Sequence, residues 1–120
     1  MAFRASHRFA RISPRKVRPL ADMVRGKFAD DALDLLRYQP QRGARLLEKV
    51  IRSAVGNALD PDQHPGETVR LEDLVVVDAR VDQGPMFKRI RPRARGMAFL
   101  IRKRMSHIHV AVEQVQKLEI

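Results

Sequence analysis

Two periodicities divide this chain. From Phe3 to Arg11 apolar and polar positions alternate, with Phe3, Ala5, His7 and Phe9 on one side and Arg4, Ser6 and Arg8 on the other, the period of a half-buried strand. Ser13 followed by Pro14 is a helix start, and Val17, Leu20, Ala21 and Val24 then recur at helical spacing up to Gly26 as a stop. Pro19 lies inside that run. It removes a backbone donor and disfavours helical geometry at Arg18, which predicts a kink or an irregular first turn, with regular helix from about Pro19 onward. Asp30 and Asp31 open a second, short helix, where carboxylates oppose the positive end of the helix dipole; Ala32, Leu35 and Leu36 form its buried stripe, and the run ends before Pro40. The third helix, about Gln41 to Leu59, carries the longest apolar face: Ala44, Leu47, Val50, Ile51, Ala54, Val55 and Ala58 fall together, while Arg42, Arg45, Lys49 and Arg52 lie mostly off it. It is the predicted spine of the core. Asp60 to Gly66, with two prolines and a glycine, is a predicted loop.

From Leu74 the period drops to two, with Val75, Val77, Ala79 and Val81 expected inward and Val76, Asp78, Arg80 and Asp82 outward. A matching strand follows near the end, where Ile108, Val110 and Val112 alternate with His107, His109 and Glu113. The stretch between these strands is too long for an ordinary hairpin loop and too rich in arginine to bury. Its simplest form is a hairpin whose arms run on past the sheet, reaching roughly 30 to 40 Å at strand rise. The predicted fold class is therefore α+β, three helices packed on a small antiparallel sheet with a long protruding β-hairpin at about 82–106, the whole of 1–120 forming one domain.

Charge sharpens this picture. The formal net charge is +10, and it is segregated: residues 1–27 hold eight Lys or Arg against one acid, residues 28–82 seven against eleven, and residues 83–120 nine against two. A near-neutral middle between strongly basic ends suits a folded body that carries two polyanion-binding surfaces. Between Gln83 and Val112 there is no acid at all, whereas ordinary surfaces mix their signs. The absence of cysteine excludes disulfides, cysteine-zinc sites and thiol chemistry, and is compatible with a reducing compartment. No apolar run approaches the ~18 residues that span a bilayer, and MAFRASHRFAR lacks the apolar stretch of a secretory signal, so a cytoplasmic location with no membrane partner is expected.

The segment GPMFKRIRPRARGMAFLIRKR, residues 84–104, concentrates the chemistry. Lys88, Arg89, Arg91, Arg93, Arg95, Arg102, Lys103 and Arg104 stand in it without an acid. An isolated two-stranded ribbon is marginally stable and these charges repel, so the segment calls for an anionic partner. Arginine outnumbers lysine, which favours bidentate forks on phosphate and stacking on bases. Met86, Phe87, Ile90, Met97, Phe99, Leu100 and Ile101 are interleaved with the charges, placed to pack against bases or sugars or, for Met86, Leu100 and Ile101, to cover the two arms against each other. Pro92 and Gly96 bracket the predicted tip, since each interrupts a regular ladder. At the other end of the chain Arg4, Arg8 and Arg11 form a basic strand face beside the basic first helix with Arg25 near its end, a second predicted RNA surface.

Ser13-Pro14-Arg15-Lys16-Val17-Arg18, Ser53-Ala54 with Asn57-Ala58, Gly84-Pro85, Lys88-Arg89-Ile90, Pro92-Arg93-Ala94, Lys103-Arg104 and Ser106-His107-Ile108 occur in an order and spacing that resembles the bacterial large-subunit ribosomal protein twenty-two family over nearly the whole chain. The resemblance implies a non-enzymatic structural constituent of the large ribosomal subunit: a globular body near the exit of the nascent-peptide tunnel, and a hairpin that threads into several domains of the large-subunit ribosomal RNA and supports assembly. Neighbouring ribosomal proteins and the nascent peptide are implied as further partners, with a monomer expected in isolation. By position, Arg15, Lys16 and Arg18 would be body contacts to RNA, and Lys88, Arg89, Arg93, Lys103 and Arg104 hairpin contacts. Arg91, Pro92, Arg93, Ala94, Arg95, Gly96 and Met97 would form the tip that lines the tunnel, close to where macrolide-type antibiotics bind. The chain departs from the family pattern at Pro19, at Met97, where a basic residue is expected, and at Leu100, where another is common.

Other chemistries find less support. His107 and His109 share a strand face, but His7 and His64 have no ligand spacing to complete a metal site, and no metal or cofactor is predicted. Asp30, Asp31 and Asp34 are explained by helix capping and solvation without an ion. Ser6, Ser13, Ser53 and Ser106 lack a nucleophile-elbow setting, and no glycine-rich phosphate loop is present. A rival of another class, a dimeric DNA-bending protein with Pro92 as a minor-groove wedge, requires a self-complementary apolar face that the assigned core does not leave over.

Overall fold

The structure, a computed structural model, describes residues 2–60 and 69–115, so most of the loop predicted over Asp60 to Gly66 lies outside the described residues. Strand β1 (Ala2–Ala10) leads into helices α1 (Pro14–Val24), α2 (Ala29–Arg37) and α3 (Arg42–Leu59). Two long strands follow, β2 (Leu74–Pro92) and β3 (Ala98–Gln114). They form one antiparallel sheet in the order β1-β3-β2, which puts the last strand in the middle. This is the predicted α+β architecture.

The α3 stripe is the spine. All seven of its predicted positions are buried, and they share one cluster with Val17, Leu20 and Val24 of α1, Leu36 of α2, and Val76, Ile108, Val110 and Val112 of the sheet. The 3.6-residue period makes this face continuous over five turns, so that α3 can cover the sheet and seat both other helices at once. Helix α1 runs unbroken through Pro19; its first turn is tightened by a bond from Lys16 N–H to the Ser13 carbonyl, 3.0 Å. Helix α2 begins one residue earlier than expected, with Phe28 rather than an aspartate at the cap, and buries Ala29, Ala32 and Leu36 while Leu35 is only half-buried. Asp30 and Asp31 stand in its first turn.

Two strand assignments require correction, and both fail for the same reason. In β1, Phe9 is not an inward residue: it is 53% exposed with φ of 59°, and Ala10 takes the inward place across a register shift between His7 and Ala10. In β2, Leu74, Val76, Ala79 and Val81 face the core, whereas Val75 is half-buried and Val77 is 44% exposed at a register shift between Val76 and Asp78. One extra residue in a strand inverts the alternation beyond it.

Buried polar groups tie the elements together. Glu48 of α3 is buried and paired with the Arg45 guanidinium, with Arg52 3.9 Å away. Arg45 also donates to the carbonyls of Leu36, Arg37 and Gln39, at 3.2, 2.9 and 2.6 Å, and so satisfies the otherwise open C-terminal end of α2. The buried Ser106 hydroxyl donates to the Ile12 carbonyl at 2.5 Å, and Asn57 donates to the Arg4 carbonyl at 2.9 Å. Two of the sequence motifs thus owe their polar residues to the body's own architecture.

Beyond the core, β2 and β3 continue as a ribbon. At its root Gly84 sits at a register shift, where a Cβ would come within 3.1 Å of the Met105 carbonyl oxygen. The molecule measures 72 × 28 × 17 Å. Its radius of gyration is 18.1 Å, against about 14 Å for a compact chain of this length, and the projecting ribbon accounts for the excess.

Candidate nucleic-acid interface

The ribbon pairs without interruption from Met86 with Arg104 to Pro92 with Ala98. Paired residues of antiparallel strands share a face, and successive residues alternate. One face therefore carries Phe87, Arg89 and Arg91 with Phe99, Ile101 and Lys103; the other carries Lys88 and Ile90 with Leu100 and Arg102. Each face mixes cations with apolar side chains. Leu100 lies opposite Ile90, but pairing does not cover them, since Ile90 remains 73% exposed. Two arginines are already stacked on rings: Arg89 stands 5.5 Å from the Phe87 centroid and Arg93 5.9 Å from that of Phe99.

The tip closes through a short 3-10 turn, Ala94–Gly96, with the Arg93 N–H bonded to the Met97 carbonyl at 2.7 Å. Both Arg95 (φ 65°) and Gly96 (φ 69°) adopt left-handed backbone, which is unusual for arginine and closes the turn. Pro92 ends β2, so of the predicted tip residues Arg91 and Pro92 belong to the strand, and Arg93 to Met97 form the turn itself.

Where the ribbon meets the body it encloses an open cleft of about 1300 Å³. Arg11, Arg15 and Lys16 line one wall, Arg89, Arg102, Lys103 and Arg104 the other, and Arg42 at the start of α3 joins them. Among the described residues no acidic side chain lines it. Residues from opposite ends of the sequence thus form one basic surface continuous with the hairpin. Arg42 is the cleft cation that sequence reasoning missed, and one of its nitrogens donates to the Arg11 carbonyl at 3.0 Å, tying the start of α3 to the wall that Arg11 lines; its signal was a cation off the apolar face at the helix start.

The remaining predicted residues are dispersed. Arg18 donates to the Val81 carbonyl at 3.3 Å, and the Arg25 guanidinium bonds the Ala79 carbonyl and Asp22. Together with Gly26 N–H on the Val76 carbonyl at 2.8 Å, they cap the open edge of β2, which would otherwise present a template for strand addition. Arg4 and Arg8 stand on β1 apart from Arg11: Arg4 borders a small hollow on the outer sheet face beside Asp78 and Arg80, and Arg8 lies 5.3 Å from the ring of Phe9. That hollow is of mixed sign. His109 there accepts or donates to Ser6 Oγ at 2.8 Å through Nδ1 and stands 3.3 Å from Asp82 through Nε2, while His107 Nδ1 accepts the Phe9 N–H at 3.0 Å. Both imidazoles hold β1 or β2 to β3. Among the described residues no three His, Cys, Asp or Glu side chains converge on a possible metal position, and no helix is long and apolar enough to cross a membrane.

Comparison with known proteins places the chain in a family. The profile of the family described as ribosomal protein L22p/L17e matches residues 5–113. A protein of Rhodopirellula baltica named large ribosomal subunit protein uL22 is 66% identical over 116 residues, covering 97% of this chain and 98% of that protein. Proteins of the same name from Maridesulfovibrio salexigens and Caldicellulosiruptor saccharolyticus are 48% and 46% identical, covering 96% and 92% of this chain and 100% and 86% of theirs. A match of this extent, spanning both the body and the hairpin, shows that the chain belongs to the ribosomal protein L22p/L17e family.

Proposed function

We propose that this protein is a non-enzymatic structural constituent of the large ribosomal subunit, and that its hairpin and cleft bind large-subunit ribosomal RNA. One observation carries the reading: the cations of residues 84–104 stand on a ribbon outside the core, without an acid among them, and run into a cleft that no acidic side chain lines among the described residues. Such a surface is self-repelling in water and is stabilised where phosphates surround it. The mechanism is neutralisation plus shape: the ribbon reaches between RNA segments of several domains, arginine forks offset phosphate repulsion where they converge, and assembly of the subunit is favoured. The body and the hairpin act as one domain, and Arg93 to Met97 line the tunnel through which the nascent peptide passes. Neighbouring ribosomal proteins contact the body, the isolated chain is a monomer, and the particle works in the cytoplasm. Arg18 and Arg25, engaged by the β2 edge, contribute to RNA binding less than Arg15, Lys16, Lys88 and Arg89.

The test is retention. A tagged chain expressed in cells is expected to co-sediment with the large subunit through a high-salt gradient. Release into the soluble fractions would show a loosely attached factor and overturn the reading.

A further inference from the structure

We infer that the cleft at the hairpin root receives an unpaired stretch of RNA, with one base laid against Phe87, and not a continuous duplex. This inference rests on the RNA-binding reading above and specifies its ligand. Rim and floor of the cleft differ in chemistry. Arg11, Arg15, Lys16, Lys103 and Arg104 are exposed, whereas the apolar surface between them comes from Met23, Ile101 and Met105, each half-buried, with Ile12 and Leu20 already taken up by the core behind it. An A-form duplex offers phosphates and ribose hydroxyls but keeps its base faces stacked inside. It would satisfy the rim and leave the apolar floor without a partner. An unpaired segment satisfies both, with phosphates on the rim and a base face on the floor.

Phe87 is the natural platform. It lines the cleft while 45% exposed, and Arg89 stacks 5.5 Å from its ring, so an aromatic surface with an adjoining cation is already assembled where a base would enter. The volume, about 1300 Å³, exceeds the ~1,000 Å³ upper range of small-molecule pockets, which leaves room for more than one nucleotide. A run of acidic residues could meet the rim, but carboxylate side chains have no flat ring to cover the floor.

The experiment uses the full chain with two RNAs of equal charge, a perfect duplex and the same duplex interrupted by unpaired purines. The native protein is expected to prefer the interrupted RNA by roughly tenfold, the value of one base stacked on an aromatic ring. Phe87→Ala should bind both RNAs alike, with an unchanged salt slope. The chain contains no tryptophan, so Phe87→Trp supplies a unique reporter, whose emission should be quenched by the interrupted RNA and not by the duplex. Because Phe87 lies outside the core cluster, these variants should keep the native melting temperature. The inference is overturned if the native chain binds both RNAs equally, if Phe87→Ala retains the preference, or if a poly-glutamate of equal charge displaces the interrupted RNA as readily as the duplex. Absence of any salt-dependent binding to either RNA would instead overturn the RNA-binding reading beneath it.

Discussion

Replacing Arg89, Arg91 and Arg93 together by alanine is expected to lower affinity for ribosomal RNA by about a hundredfold or more near physiological salt, since a charge-assisted hydrogen bond contributes ~1.5–3 kcal/mol. The same triple variant should flatten the slope of log affinity against log salt by roughly two to three units, because each lost phosphate contact forgoes the release of nearly one counterion. These guanidiniums lie on the ribbon, outside the core cluster, so the melting temperature should not move. Arg25→Ala is the control: its guanidinium serves the β2 edge and Asp22, so it should lower stability and leave the salt slope near the native value. Filter binding over a series of salt concentrations, with thermal melting beside it, reads both quantities. An unchanged slope in the triple variant would mean that the hairpin does not meet phosphate.

The opposite pattern is expected in the core. Ile51→Ala removes a fully buried side chain at the centre of α3, where the spine meets both the sheet and the other helices. Large-to-small substitutions at such sites cost about 2–5 kcal/mol, through lost burial and the cavity left behind. For a chain of this size that corresponds to a fall of roughly 10–25 °C in melting temperature. The salt slope of RNA binding, measured below the new melting point, should stay as in the native chain. A small thermal shift would mean that α3 is not the spine that its burial indicates.

This separation of roles follows from which parts of the fold the sequence specifies locally. The α3 face was legible in full because its helical period is sustained over 18 residues and no other phase fits it. The phase of β2 was not, because Leu74 to Val77 are all apolar and leave either alternation open until the bulge at Val77 decides. Phe9 misled for a related reason: hydrophobicity gives a side chain its preference, but the bulge after His7 gives it its direction. The burial of Glu48 was encoded, though faintly, in its spacing from Arg45 and Arg52, one helical turn to either side.

The interface shows the same division. A hairpin free of acids is visible as composition, and its two breakers mark the turn at Arg93 to Met97. The cleft is invisible in the sequence, because its walls come from Arg11 to Lys16 and from Arg89 to Arg104 and meet only once the long strands have paired. Nor can a sequence distinguish an arginine aimed at phosphate from one aimed at a carbonyl. Arg15 and Arg18 are close neighbours on α1, yet one lines the basic cleft and the other closes the sheet edge.

The proposed role requires the hairpin to be clasped by folded RNA. A photo-crosslinking residue placed at Arg93, in a chain expressed in cells and recovered in purified large subunits, tests this most directly. Crosslinks to large-subunit ribosomal RNA are expected, with nascent peptide joining them while translation proceeds. Crosslinks running back to the helices of the protein's own body, with none to RNA, would contradict it.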